Sequence, residues 1–260
     1  MKYEIKALSL GEILDQGIKL VRDKFGLLMG IMALTVVPFQ IGVALFSTQL
    51  QPVPGQPPQL PPLGMLLTQL ALVYGFLLVI LPLANAAVVY TAARTYLGQE
   101  TALGDSFRHA LRRLPALIGT SILMGLAIMG GLILFIIPGI LCALWFMLAQ
   151  QVAVLEPLSG GPALSRSKAL MKGNMGTAMV LGIVIGVINI GLGMVSNLLP
   201  HPFNAISAGV MAGVTTLIST CTFVVFYFSC RCKLDNFDLE VLANEVDGGE
   251  SDDTAELTVE

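Results

Sequence analysis

Residues 25–93, 114–155 and 173–230 contain no Lys, Arg, Asp or Glu. An apolar run beyond ~18 residues is long enough to cross a bilayer as a helix, and each of these stretches is long enough to cross it twice. In water the chain would have to bury all three in one small core. It is 55% hydrophobic and 12% charged, against ~25% charge in an ordinary soluble domain, so it lacks the polar surface to cover them. The sequence therefore reads as all-α, a polytopic membrane protein.

Prolines divide each stretch into a hairpin, giving six transmembrane helices as three hairpins. Spans 26–48 and 64–90 flank a segment carrying Pro52, Pro54, Pro57, Pro58, Pro61 and Pro62. That segment cannot continue a helix, because proline lacks the N–H and clashes with the preceding turn. Spans 116–136 and 140–156 are parted at Pro138-Gly139. For this short pair, a re-entrant hairpin is the competing reading. Spans 175–198 and 205–229 flank Leu199-Pro200-His201-Pro202.

The basic residues set the orientation. The predicted outer loops, 49–63, 137–139 and 199–204, carry no Lys or Arg. All 14 basic residues fall in the N-terminal segment, the 91–114 and 156–174 connections and the start of the tail. The positive-inside rule places these regions in the cytoplasm. The expectation is a multi-pass protein of the cell membrane, of the bacterial inner-membrane kind, with N- and C-termini cytoplasmic. The first 24 residues alternate charged and apolar positions and do not read as a secretory signal. Cys142, Cys221, Cys230 and Cys232 lie in or beside spans, so no disulfide framework is expected.

Each hairpin follows a short amphipathic segment. In the first elbow, 9–24, Leu10, Ile13, Leu14, Ile18, Val21 and Phe25 share one face, opposite Glu12, Asp15, Lys19, Arg22 and Asp23. Ser9 and Glu12 form a capping-box pattern. The second elbow, 102–114, repeats the first at an offset of 93 residues: Leu103 matches Leu10, Asp105 matches Glu12, Leu111 matches Ile18 and Arg112 matches Lys19. The third, 162–172, is a degenerate copy in which Ser167 takes the place of a large apolar residue. Such helices can lie in the headgroup plane with the apolar face towards lipid. On this reading Lys19, Arg22, Arg108, Arg112, Arg166, Lys172 and Arg231 are candidate lipid-headgroup contacts. Residues 1–234 form the membrane domain. Residues 235–260, with ten acidic and no basic residues, form an acidic cytoplasmic tail, disordered over most of its length.

Polar residues within the spans are few. Asn85, Asn189 and, at an inner end, Glu156 are candidates for a polar path or for structural hydrogen bonds between helices. Glu156 is equally placed to pair with Arg166. Glycine pairs at spacing four (Gly26 and Gly30, Gly182 and Gly186, Gly209 and Gly213) read as close-packing faces. Deep ionisable residues, which ion-coupled transporters usually need, are absent from the charge-free stretches. His109 and His201 fall on opposite sides of the predicted membrane. No Walker loop, zinc His-Glu-x-x-His set or nucleophile constellation is present. No catalytic residue, metal site or cofactor is therefore expected, and no nucleic-acid partner.

Leu10-Gly11-Glu12-Ile13-Leu14, Lys24-Phe25-Gly26, Phe135-Ile136-Ile137-Pro138-Gly139-Ile140, Glu156 with Ala163-Leu164-Ser165-Arg166-Ser167, Lys172-Gly173-Asn174, Tyr227-Phe228-Ser229-Cys230-Arg231 and Phe237-Asp238-Leu239-Glu240 give the chain a family likeness. It resembles the membrane domain attached to some bacterial glycerophosphoryl diester phosphodiesterases, and the YciC-like uncharacterised inner-membrane proteins. The resemblance implies a membrane domain with no chemistry of its own, since hydrolysis in the fused proteins belongs to a separate soluble domain. The expected function is a non-catalytic membrane protein that organises lipids, or another membrane protein, at the cytoplasmic face. The alternative is a channel or transporter for an uncharged or amphiphilic solute.

Overall fold

The computed structural model describes residues 3–48, 62–197 and 203–243. The proline-rich loop up to residue 61, the loop around Pro200 and the acidic tail from residue 244 lie outside the described residues. The chain is all-α: α1 (Leu10–Asp23), α2 (Phe25–Thr48), α3 (Leu63–Gly75), α4 (Leu81–Tyr96), α5 (Leu103–Leu134), α6 (Ile136–Trp145), α7 (Ala149–Leu155), α8 (Gly161–Met171), α9 (Met175–Asn197) and α10 (Phe203–Asp235). A last helical stretch, α11, covers 237–243. Five stretches, Leu63–Tyr96, Leu103–Leu134, Ile136–Leu155, Met175–Val195 and Val210–Asp235, are long and apolar enough to cross a membrane. The protein is thus a polytopic α-helical membrane protein. Helix α2 has 24 residues, about 36 Å at ~1.5 Å per residue.

Three boundaries differ from the sequence reading, each for a backbone reason. The second elbow and the span after it are one 32-residue helix that runs through Pro115. Proline removes a donor to the carbonyl four residues back, here that of Leu111. Leu111, Arg112 and Pro115 are all exposed, so water or headgroups can take up the freed carbonyl. The break between α5 and α6 falls at Phe135, which is extended (φ −165°, ψ 156°), and not at Pro138-Gly139. Pro138 sits in the first turn of α6, where backbone N–H groups have no helical partner and proline costs nothing. A widened π turn, Phe76–Ile80, joins α3 to α4. It contains Leu78, whose carbonyl the ring of Pro82 would meet in a regular helix.

The α5–α6 hairpin closes on two glycines. A Cβ on Gly131 would stand 3.0 Å from the Cα of Gly139, and one on Gly139 would stand 2.5 Å from the side chain of Leu132. The spaced glycine pairs contribute less. Gly30 and Gly182 touch a neighbouring side chain, whereas Gly26, Gly186 and Gly213 face open space. At the hairpin tip Ile133, Leu134, Phe135, Ile136 and Ile137 are 70–80% exposed. Five adjacent uncovered apolar side chains are stable only in a non-aqueous surround.

The opposite end gathers the charged segments. Leu8 donates its N–H to Ser229 Oγ (2.9 Å), and Tyr96 Oη donates to the Glu4 carbonyl (2.8 Å). Tyr3 Oη donates to Asp23 (2.7 Å), and Lys24 lies 3.9 Å from Glu100. Tyr3, Tyr96, Phe228 and Phe237 pack ring to ring in sequence. The largest fully buried side chains include Tyr96, Tyr227, Phe226, Ile13, Leu20 and Met171.

Here α1 departs from the expected headgroup-plane helix. Its buried face is Ile13, Gln16, Gly17, Leu20 and Val21, packed on α10 and not offered to lipid. Gly17 makes this crossing possible, since a Cβ there would stand 2.5 Å from Thr222 Oγ1. Ile18 and Phe25, expected on the same apolar face, are exposed. The capping box at Ser9 and Glu12 is formed.

Helix α8 matches the third elbow, and its fully buried Ser167 has a task a large apolar residue could not perform. Its hydroxyl donates to the carbonyl of Trp145 at 2.8 Å. Trp145 ends α6, so this carbonyl has lost its helical partner. Gly173 then turns the chain into α9 with φ +84°, a left-handed conformation that costs glycine little.

Candidate functional site

Two arginine clusters stand at the charged end, and they differ in how their charge is met. The first is closed. Arg166 on α8 directs Nε to both carboxylate oxygens of Glu156 (3.3 and 3.2 Å). Its Nη1 reaches Asp235 Oδ1 at 3.2 Å, and Nη2 also pairs with Asp235. Tyr227 Oη donates to Glu156 at 2.8 Å, and Arg231 Nε to Asp235 at 3.3 Å. The Arg231 guanidinium also lies 4.2 Å from the ring centre of Phe237. The Asp235 bond, with Glu156 adding attraction, raises the Arg166 pKa above its ordinary value. The pairing of Glu156 with Arg166 follows the sequence expectation. The sequence reading missed Asp235 and Tyr227, although Tyr227, Arg231 and Asp235 recur every fourth residue along one face of α10.

The second cluster is open. A cavity of about 360 Å³ lies between the end of α4 and the start of α5. Helix α4 contributes Tyr90 and Arg94, one turn apart. The other strip contributes Thr101, just before α5, and Asp105, Arg108, His109 and Arg112, the last four spaced to share one helical face. His109 Nε2 donates to the Val154 carbonyl at 2.9 Å, and its ring stacks on Tyr90 at 4.1 Å. A buried hydroxyl pair, Thr91 and Ser106 at 2.7 Å, fixes α4 against α5 just beneath. Among the described residues, no carboxylate forms an ion pair with Arg94, Arg108 or Arg112. Arg94 Nε and Thr101 Oγ1 are buried without a hydrogen-bond partner. The sequence reading singled out Arg108 and Arg112 as candidate headgroup contacts, but not Arg94, Thr101 or His109 for this site. The i, i+4, i+7, i+8, i+11 spacing from Thr101 is the signal that finds Thr101 and His109, whereas Arg94 has no such signal.

A second cavity of about 350 Å³ shares Tyr90, Arg94 and His109 with the first. It runs on between Leu97, Val154, Leu155 and Phe228. A basic chamber thus adjoins a cleft with apolar walls.

The remaining candidates scatter. Lys19 lies 5.4 Å from the Tyr3 ring, and Arg22 and Lys172 are exposed. Asn85 accepts from Thr220 on α10 at 3.0 Å. Asn189 donates to Ile185 of its own helix at 2.8 Å and is exposed. Asn85, Asn189 and Glu156 therefore have separate partners and line neither cavity. All four cysteines are free. Among the described residues no group of three or more His, Cys, Asp or Glu is placed to hold a metal.

A family described as a domain of unknown function (DUF8558) matches residues 110–252, more than half of the chain. The chain belongs to this family. The matched segment begins within α5 and takes in Glu156, Arg166, Arg231 and Asp235 of the closed cluster. The match does not extend to the phosphodiesterase-attached domains. No curated protein and no solved structure matches the chain.

Proposed function

We propose that this protein is a non-catalytic membrane protein that holds anionic lipid at its charged end, and that this end faces the cytoplasm. The observation that supports the reading best is the open arginine cluster. Among the described residues, carboxylates neutralise Arg166 and Arg231, whereas none forms an ion pair with Arg94, Arg108 or Arg112. Each basic residue near an anionic surface contributes ~1 kcal/mol of attraction. On this reading Phe25–Thr48 is a sixth span, which makes the count even and leaves both termini on the side of the basic connections. The resemblance to membrane domains without chemistry of their own points the same way. Transport through a path along Asn85, Asn189 and Glu156 has less support, because their hydrogen bonds are spent on separate partners.

The test is mass spectrometry of lipid retained after purification from a mixed native extract and reconstitution into nanodiscs. Anionic lipid is expected to be enriched over its share of the bulk extract. The reading falls if retained lipid mirrors the bulk composition, and it gives way to transport if proteoliposomes take up a neutral solute and Asn189→Leu stops that uptake.

A further inference from the structure

Arg94, Arg108 and Arg112 line one chamber, and among the described residues Asp105 is the only acidic residue in that lining. Three guanidinium groups and one carboxylate leave two positive charges. Like charges gathered around one cavity repel, and an anion that joins them relieves the repulsion. The buried Arg94 Nε and Thr101 hydroxyl are donors without an acceptor among the described residues, and a buried polar atom left so destabilises the fold. A phosphate group supplies what is missing: negative charge and several acceptor oxygens, to which arginine binds with paired N–H groups. The nearby first turn of α5 adds further N–H groups and the positive end of a helix dipole.

We propose that this chamber is a binding site for a phosphate monoester, held between Arg94, Arg108, Arg112 and Thr101. The inference rests on the lipid-holding reading and deepens it from a charged surface to one site. The volume of about 360 Å³ is at the low end of the ~300–1,000 Å³ of ligand cavities, so it suits a headgroup and not a whole lipid. The adjoining cleft past Leu97, Val154 and Phe228 gives the glycerol end and the first methylenes of an acyl chain somewhere to go. Tyr90, Arg94 and His109 stand in both cavities, where headgroup and chain would join. The phosphate can come from a lipid such as phosphatidic acid or from a free phosphate ester, and the apolar cleft favours the lipid.

The full chain is reconstituted into phosphatidylcholine nanodiscs with 0% or about 10% phosphatidic acid, and lipid retention is measured by native mass spectrometry. In parallel, inorganic phosphate and glycerol 3-phosphate are titrated into detergent-solubilised protein by calorimetry. Arg94→Gln with Arg108→Gln is expected to lower phosphatidic acid retention at least tenfold. Lys6→Gln with Lys168→Gln removes the same charge from exposed positions outside the chamber and should change retention less than twofold. Thr101→Val, a near-isosteric change that leaves the charge intact, should lower retention severalfold and covers the case in which the arginine pair fails to fold. Retention of phosphatidic acid without binding of the free phosphates identifies the lipid as the source. Binding of the free phosphates that is lost in the chamber variants identifies a soluble ester. The proposal is overturned if the folded chamber variants retain phosphatidic acid as the parent does, or if the outside pair lowers it equally. In that outcome a parent protein that still enriches anionic lipid keeps the broader reading, whereas a parent with no anionic preference loses both.

Discussion

Gly17 crosses Thr222 so closely that the threonine Cα would lie 2.9 Å from a Cβ on the glycine. The contact involves backbone on both sides and has no flexible side chain to give way. Gly17→Ala is therefore expected to lower stability by about 1–3 kcal/mol, the cost of overpacking a close contact, and Gly17→Val by more. Thermal unfolding in detergent measures it. If Gly17→Ala unfolds at the parent temperature, α1 does not cross α10 at this point.

Glu156 is held by two donors from different elements, Arg166 of α8 and Tyr227 of α10. With its side chain 15% exposed, it cannot turn to water for replacements. Arg166→Gln leaves Glu156 and Asp235 without their shared cation and is expected to cost about 1–3 kcal/mol. Tyr227→Phe should cost about 1 kcal/mol. A double-mutant cycle of Glu156→Gln with Tyr227→Phe checks the contact directly. Additive losses would remove the Tyr227–Glu156 bond from the account.

Ser167 is fully buried and serves the end of α6. Replacing it with the leucine its place in the repeat calls for should overpack the site and orphan the Trp145 carbonyl. Ser167→Leu is expected to be less stable than Ser167→Ala in the same thermal assay. The reverse order would mean that the site has room and the hydroxyl no task.

Glu12 caps α1 by accepting from Ser9, and this bond, with Lys6 adding a second contact, lowers its pKa from 4.5 to about 2. A group whose folded value is depressed stabilises the fold when ionised. Its contribution is complete above the ordinary value and is lost as pH falls through about 2. Glu12→Gln should flatten the stability profile across that acid window and leave its shape at neutral pH unchanged. An acid denaturation series on both proteins decides it.

The tip at Phe135 has apolar neighbours on both sides and no cover. With the four native cysteines changed to alanine, Phe135→Cys should resist a membrane-impermeant thiol reagent in intact proteoliposomes. Arg22→Cys should react in those molecules whose charged end faces the reagent. Rapid labelling at position 135 would place the tip in water.

The membrane-crossing character was legible because charge exclusion over dozens of residues has no competing explanation; of the six spans expected, five stretches among the described residues are long and apolar enough. The boundaries were not, because proline does not end a helix where the carbonyl it frees is exposed, as with Pro115, or where the N–H it lacks was never needed, as with Pro138. The apolar face of α1 was legible as a face but not by its occupant. Periodicity reports that Ile13 and Val21 need cover, and it says nothing of whether lipid or α10 supplies it. Arg108 and Arg112 were found as charges on a surface. Arg94 was hidden at the end of a span, and only the packing of α4 on α5 brings it beside them.

The bond from Leu8 to Ser229 joins residues 221 positions apart, and α1 packs against the same late helix. During synthesis α1 must therefore wait for α10 before its packing is complete. Until α10 is made, Ile13 and Leu20 lack the helix that covers most of their face, and a chain cut short before Ser229 cannot close it.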